Sequence, residues 1–277
     1  MPDGYREVRV ESIVKTDERA NRLVMEAYRT GRPLILRCPL TEQENKQLYD
    51  EWREYVCSDK REYPTQGRGP RTLYDIWTSD LGIRHEGGLK DTTVGRKRKR
   101  SSVELALNPV RDWLEHASRD RDSIGRILWR RQLWIDGLAE RIKRLELKKH
   151  QDNEDAKSVR HPSFIAGRIK PGGGPTHYDE YQNLALLVMG QKTFYTAEHD
   201  KFVDQPIRGN EANERLGVNP FNSTEYVIGN SSLSLDRVDA CNWMVGSLTP
   251  GDILFLPRSF WHWVWSQPKT IMTNDWA

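Results

Sequence analysis

Residues 170–192, KPGGGPTHYDEYQNLALLVMGQK, constrain the fold more than any other stretch of the chain. Asn183 to Met189 reads as a buried apolar run of strand length, bounded by polar and turn residues. Just ahead of it, His177 and Asp179 are separated by one residue. Residues two apart on a strand point to the same face, so this imidazole and this carboxylate would converge on one point. They form two of the three members of the 2-His-1-carboxylate set, which holds ferrous iron on one face and leaves the other open. The third ligand has to come from elsewhere.

His262 is the candidate. It lies in LTPGDILFLPRSFWHWVWS, where Pro250-Gly251 signals a turn and Asp252 to Leu256 a short apolar strand. Pro257 breaks that strand, and Phe260 to Trp265 makes another. The separation from His177 (262 − 177 = 85 positions) is the kind of long-range pairing a barrel makes. Taken singly, a His-x-Asp is usually a surface pair, and a histidine among tryptophans is usually a packed core residue. The Gly-rich entry before the first and the turn and strand before the second favour a joint metal site.

The segments THYDEYQNLALLVMGQK, PGDILFLPRSFWHWVWS and TIMTNDWA resemble the JmjC/cupin-like iron(II) and 2-oxoglutarate-dependent oxygenases, most of all the asparaginyl-hydroxylase-like branch. The resemblance covers about residues 160–277 and extends weakly to GRPLILRCPL at 31–40. It implies a mainly β fold with added helices: a double-stranded β-helix (jelly roll, cupin-like) with an α-rich N-terminal region. It implies His177, Asp179 and His262 as ligands of Fe(II), no catalytic residue beyond that metal site, and 2-oxoglutarate and O2 as co-substrates. Lys192 (192 − 177 = 15 positions beyond His177) matches the family's lysine for the far carboxylate of 2-oxoglutarate. A buried ammonium is costly unless paired, and a dicarboxylate supplies the pair. Asn274 (274 − 262 = 12 positions beyond His262) and Asn183 match asparagines that face the co-substrate. Thr176 is a candidate hydroxyl donor to it. The family's usual hydroxyl stands three residues before the first ligand, where this chain has Gly174. Tyr195 or an N-terminal tyrosine therefore stays open as the second anchor.

The implied reaction is hydroxylation, or demethylation through hydroxylation, of a C–H bond. A polypeptide substrate is favoured, with a small metabolite next and a nucleic acid or nucleoside last. The alternative class is a cupin-type binding protein without turnover, which would have no need of the full ligand set and Lys192. The chain stops at Ala277, directly after the last expected strand. The C-terminal helices through which related hydroxylases dimerise are thus not expected, which leaves a monomer or a different interface.

Length and composition fit this reading. The 277 residues suit one large unit: a helical, mixed N-terminal region over 1–150 packed on a catalytic core over 151–277. Three cysteines, without CxxC spacing and odd in number, argue against a disulfide framework and point to an intracellular compartment, cytoplasmic or nuclear. No apolar run approaches the ~20 residues that span a bilayer, and the N-terminus has no signal-peptide core, so no membrane partner is expected. A net charge of +3 from 43 basic and 40 acidic residues does not announce a nucleic-acid binder. The run RKRKR at 96–100 is read as a solvated loop, with nuclear import or phosphate contact as the sharper alternatives.

Periodicity supplies the rest. Val8 to Val14 reads as a strand, and Thr16 as the cap of a helix ending at Thr30 before Gly31. Pro33 to Cys38 is a strand, and Thr41 with Glu44 forms a capping-box spacing that opens a helix to about Val56. Residues 58–102 read as loops with short strands, Pro109 to Ala117 as a short helix, and Ser123 to about Lys148 as a long amphipathic, basic one. A strand at Ser163 to Lys170, the ligand strand, a strand at Thr193 to Ala197, an excursion over 200–242 and four closing strands complete the expectation.

Overall fold

The computed structural model describes residues 6–63, 71–78, 109–149, 164–166, 172–173, 179, 181–198, 226–228, 231–233 and 243–277. The elements of the N-terminal half are β1 (Arg6–Glu7), β2 (Arg9–Ser12), α1 (Glu18–Thr30), β3 (Leu34–Arg37), α2 (Glu42–Ser58), β4 (Glu62–Tyr63), β5 (Arg71–Thr72), α3 (Leu73–Thr78), α4 (Pro109–Ala117) and α5 (Ile124–Lys149). Next come β6 (Phe164–Ala166), β7 (Gly172–Gly173), β8 (Asn183–Met189), β9 (Lys192–Glu198), β10 (Tyr226–Ile228) and β11 (Ser231–Leu233). Four strands close the chain: β12 (Met244–Leu248), β13 (Ile253–Leu256), β14 (Phe260–Ser266) and β15 (Thr270–Trp276).

Two sheets carry the architecture. One has the order β1-β12-β9-β14-β7, the other β2-β3-β13-β8-β15-β6. They enclose an apolar interior built from alternate residues of each strand, including Ile35, Leu187, Phe194, Leu254 and Phe260. The opposite face of the second sheet, with Leu34, Leu36, Leu184, Leu186 and Phe255, packs against the helices through Trp52, Trp113 and Leu128. β8 is thereby buried on both faces, which is why its sequence is an unbroken apolar run and not an alternation. The fold is a jelly roll, mainly β, with helices added to one side.

The N-terminal strands enter this framework. β1 pairs parallel with β12, while β2 pairs parallel with β3, which in turn lies antiparallel to β13. Both sheets therefore include residues from the first forty of the chain. The helix at Glu18 is capped by Asp17, not Thr16: the Asp17 carboxylate accepts from the N–H groups of Arg19 and Ala20, and its charge complements the helix dipole. Gly31, at φ 60°, closes the helix as expected. Thr41 and Glu44 form the reciprocal capping box.

The Pro-Gly-Asp turn is a structural anchor. Asp252, fully buried, accepts from the Cys38 N–H at 2.9 Å and from the Thr249 N–H and hydroxyl at 2.9 Å each, and pairs with Arg37 at 3.0 Å. Arg131, one of the basic residues of the long helix, turns inward and donates to the carbonyls of Cys38 at 2.8 Å and Gly251 at 3.0 Å. One arginine thus ties α5 to β3 and to the β12–β13 turn. The region expected to be loop contains α3, opened by Thr72 and Asp75 bonding to each other's N–H groups. Trp77 of this helix packs edge-on to Trp52, with ring centroids 5.6 Å apart. The run 96–100 and most of the 200–242 excursion lie outside the described residues; within the excursion, β10 and β11 form a hairpin. No helix among the described residues is long and apolar enough to cross a membrane.

Candidate metal and diacid site

β14 runs antiparallel to β9, with His262 opposite Thr196 and Ser266 opposite Lys192. Residues directly opposite share a face, so His262, Thr196, Phe194 and Lys192 all point into the space between the sheets. His262 is 4% exposed. Its Nδ1 lies 3.0 Å from the Phe260 carbonyl. A carbonyl only accepts, so Nδ1 carries the proton, and in the neutral ring the lone pair sits on Nε2. That nitrogen is 3.8 Å from Oδ2 of Asp179.

Asp179 is not in a strand but in the connection entering β8. Its position is fixed by the turn ahead of β14: the Ser259 N–H donates to the Asp179 carbonyl at 2.8 Å. Ser259 has φ 62°, a left-handed conformation uncommon for a non-glycine residue. The Gln182 side chain holds the same turn by accepting from the Arg258 N–H at 3.2 Å. Neither Ser259 nor Gln182 carries a sequence signal for this role. His177 and Thr176 lie outside the described residues. Two of the three expected ligands are therefore brought together, and among the described residues no third His, Cys, Asp or Glu joins them.

The deep end of the same face holds Lys192, 3% exposed, with burial pushing its pKa down from 10.5 to about 7. On the facing sheet, the Asn274 amide donates to the Asn183 side-chain oxygen at 3.0 Å. Two buried oxygens, Oγ1 of Thr196 and Oδ1 of Asn274, have no hydrogen-bond partner among the described residues. Tyr195, open as an anchor on the sequence alone, sits on the other face of β9 with Thr193 and so points away from Lys192. Thr196 was missed, although KTFYTAE alternates with period two and places it on the face of Lys192.

This donor set fits ferrous iron and a diacid. An imidazole nitrogen and a carboxylate oxygen suit a borderline divalent ion. His262 and Asp179 are the described residues that would hold such an ion. The orphaned hydroxyl and amide oxygen are polar groups a small ligand would satisfy.

Comparison with known domain families agrees on the fold. Residues 146–276 match the family described as Cupin-like domain. That match, over most of the second half of the chain, agrees with the jelly roll. YxbC of Bacillus subtilis (strain 168), described as uncharacterized, is 31% identical over 111 residues, or 40% of this chain and 32% of that protein. An X-ray structure of E. coli ycfD aligns at 17% identity and a TM-score of 0.28, covering 48% of this chain and 29% of that one. A structure titled as YcfD, a ribosomal oxygenase from Escherichia coli, aligns at 14% identity and a TM-score of 0.25, covering 47% and 26%. The chain spans less than a third of the length of each of these relatives.

Proposed function

We propose that the protein is an Fe(II)- and 2-oxoglutarate-dependent oxygenase, a hydroxylase of the asparaginyl-hydroxylase-like kind. The observation that carries this reading is the approach of His262 Nε2 to 3.8 Å from Asp179 Oδ2, on the barrel face that also buries Lys192. His177 is the third ligand in this reading. The bound iron and co-substrate would supply O2 activation coupled to oxidative decarboxylation, yielding succinate, CO2 and an oxidised substrate C–H bond. The chain's own residues do the rest. The Phe260 carbonyl holds the His262 ring with its lone pair on Nε2. Lys192 binds and neutralises the far carboxylate, and the linked pair Asn183–Asn274 offers a polar ledge across from it. Phe194, Leu254, Leu256 and Phe260 keep bulk water from the reacting centre.

A polypeptide is the favoured substrate. Arg130, Arg141 and Arg144 are exposed along α5, a cationic surface that iron chemistry does not require. The test is spectroscopic. Under anaerobic conditions, protein loaded with Fe(II) and 2-oxoglutarate should develop a weak visible charge-transfer band, and His262→Ala should lose it together with tight iron binding. A wild-type protein that binds iron and 2-oxoglutarate without the band, or a His262→Ala variant that keeps it, rules the reading out.

A further inference from the structure

We infer that Thr196 is the second anchor of the diacid, donating its hydroxyl to an oxygen at the metal-side end while Lys192 holds the far end; this rests on the oxygenase reading above. Three observations carry it. Thr196 is 1% exposed, and its Oγ1 has no hydrogen-bond partner among the described residues. It lies directly across from His262 in the β9–β14 ladder, so its side chain shares the face and the level of the metal-binding imidazole. It also lies on the face of Lys192, four residues along β9, or roughly 13 Å at strand spacing. A lysine stem together with a five-carbon diacid fills a span of that size.

The intervening residue completes the match. Phe194 lies between Lys192 and Thr196 on the inward face and is buried in the barrel's apolar cluster. Read along the strand, the face offers a cation, an aromatic surface and a hydroxyl. A 2-oxo diacid offers a carboxylate, two methylenes and a keto acid in the same order. The backbone N–H and C=O groups of β9 are engaged in ladders on both sides, with β12 and β14, so they do not satisfy the hydroxyl. A buried hydroxyl without a partner destabilises the ligand-free protein, and a ligand oxygen removes that cost. Gly174 stands where the resembled family carries its usual hydroxyl, and Thr196 reaches the diacid from β9.

The experiment uses Thr196→Val, which keeps the shape and removes the hydroxyl, and Thr196→Ser, which keeps the hydroxyl. Full-length protein loaded with Mn(II) is titrated with 2-oxoglutarate by calorimetry, and the ligand-free proteins are melted in parallel. Thr196→Val should weaken 2-oxoglutarate binding about tenfold, as expected for one hydrogen bond to a charged group. Thr196→Ser should stay within about twofold, a difference below half of one hydrogen bond. Ligand-free Thr196→Val should melt about 2–4 °C above wild type, because the orphaned hydroxyl is gone. A purely structural role predicts the reverse, with Val melting lower and Ser restoring it, and that pattern overturns the inference. So does a Val variant that binds 2-oxoglutarate as wild type does. If the Mn(II)-loaded wild type binds no 2-oxoglutarate at all, the oxygenase reading itself has failed.

Discussion

Replacing Lys192 by Met tests the site through its pH dependence. The ammonium is buried, and burial lowers its pKa from 10.5 to about 7. A shift of that size corresponds to ~3–5 kcal/mol between charged and neutral forms. The sign follows from proton counting. Between pH 7 and 10.5 the unfolded chain holds one more proton at this lysine than the folded one, so unfolding free energy rises with pH across that window. The cost of the buried charge is fully present below pH 7 and recovered as pH climbs. Urea melts of ligand-free protein should therefore show wild type gaining up to ~1.4 kcal/mol per pH unit above neutrality relative to Lys192→Met. Binding a dicarboxylate reverses the shift, because a neighbouring carboxylate favours the protonated lysine. Affinity for 2-oxoglutarate should then fall as pH rises above 7. At pH 8.5, calorimetry in two buffers of different ionisation enthalpy should register uptake of close to one proton. Lys192→Met should bind 2-oxoglutarate at least about tenfold more weakly and take up no proton. If wild type binds 2-oxoglutarate with no proton uptake and its stability tracks the variant's at every pH, Lys192 is not the diacid's counter-ion.

Two further predictions concern the frame around the site. Gly251 sits at φ 96°, and a Cβ there would lie 2.5 Å from the Cys38 carbonyl oxygen and 2.1 Å from the Arg131 guanidinium. Gly251→Ala should cost ~2–4 kcal/mol in urea denaturation, and a loss under ~0.5 kcal/mol would mean the turn is not held as described. Asp275 is buried between β15 and α5, where Gln132 donates to it at 2.7 Å and to Asp136 at 2.8 Å. Burial first, and then the neighbouring Asp136 charge, holds the Asp275 carboxyl well above the usual carboxylate range. A raised folded pKa stabilises the protein below the ordinary carboxylate pKa, and that stabilisation is lost as pH rises through the raised value. Asp275→Asn should therefore lose less stability than wild type between pH 5 and pH 8, measured by denaturant melts; equal losses would place the proton elsewhere.

What was legible in the chain was local. Thr41 with Glu44, Gly31, and the apolar spacing of α4 and α5 act over three or four residues, so their elements appear within a residue or two of expectation. Asp17 displaced Thr16 as a cap because a carboxylate satisfies two free N–H groups and adds charge complementarity, a difference of one position. α3 was missed because its six residues sit among prolines and glycines and are stabilised by Trp77 packing on Trp52, a contact made at a distance in sequence.

The sequence by itself pointed to the jelly-roll class and to His262 and Asp179 as neighbours, because apolar strand runs and side-chain chemistry are written in the chain. Only the tertiary structure decided which face each residue takes. Tyr195 and Thr196 are neighbours in sequence; alternation along β9 puts Thr196 on the face of Lys192, and the pairing of β9 with β14 turns that face inward and sets Thr196 beside His262. A slip of one residue would turn Lys192 and Thr196 outward together, and nothing within β9 fixes the register; its two neighbouring strands do. In the same way Arg131 reads as one more charge on a basic helix until two carbonyls from β3 and the β12–β13 turn arrive to bind it. Asp179 reads as a strand residue until the Ser259 N–H, 80 positions away (259 − 179 = 80), holds its carbonyl outside the strand. Backbone pairing between distant segments sets these orientations, and such pairing is a property of the folded chain as a whole.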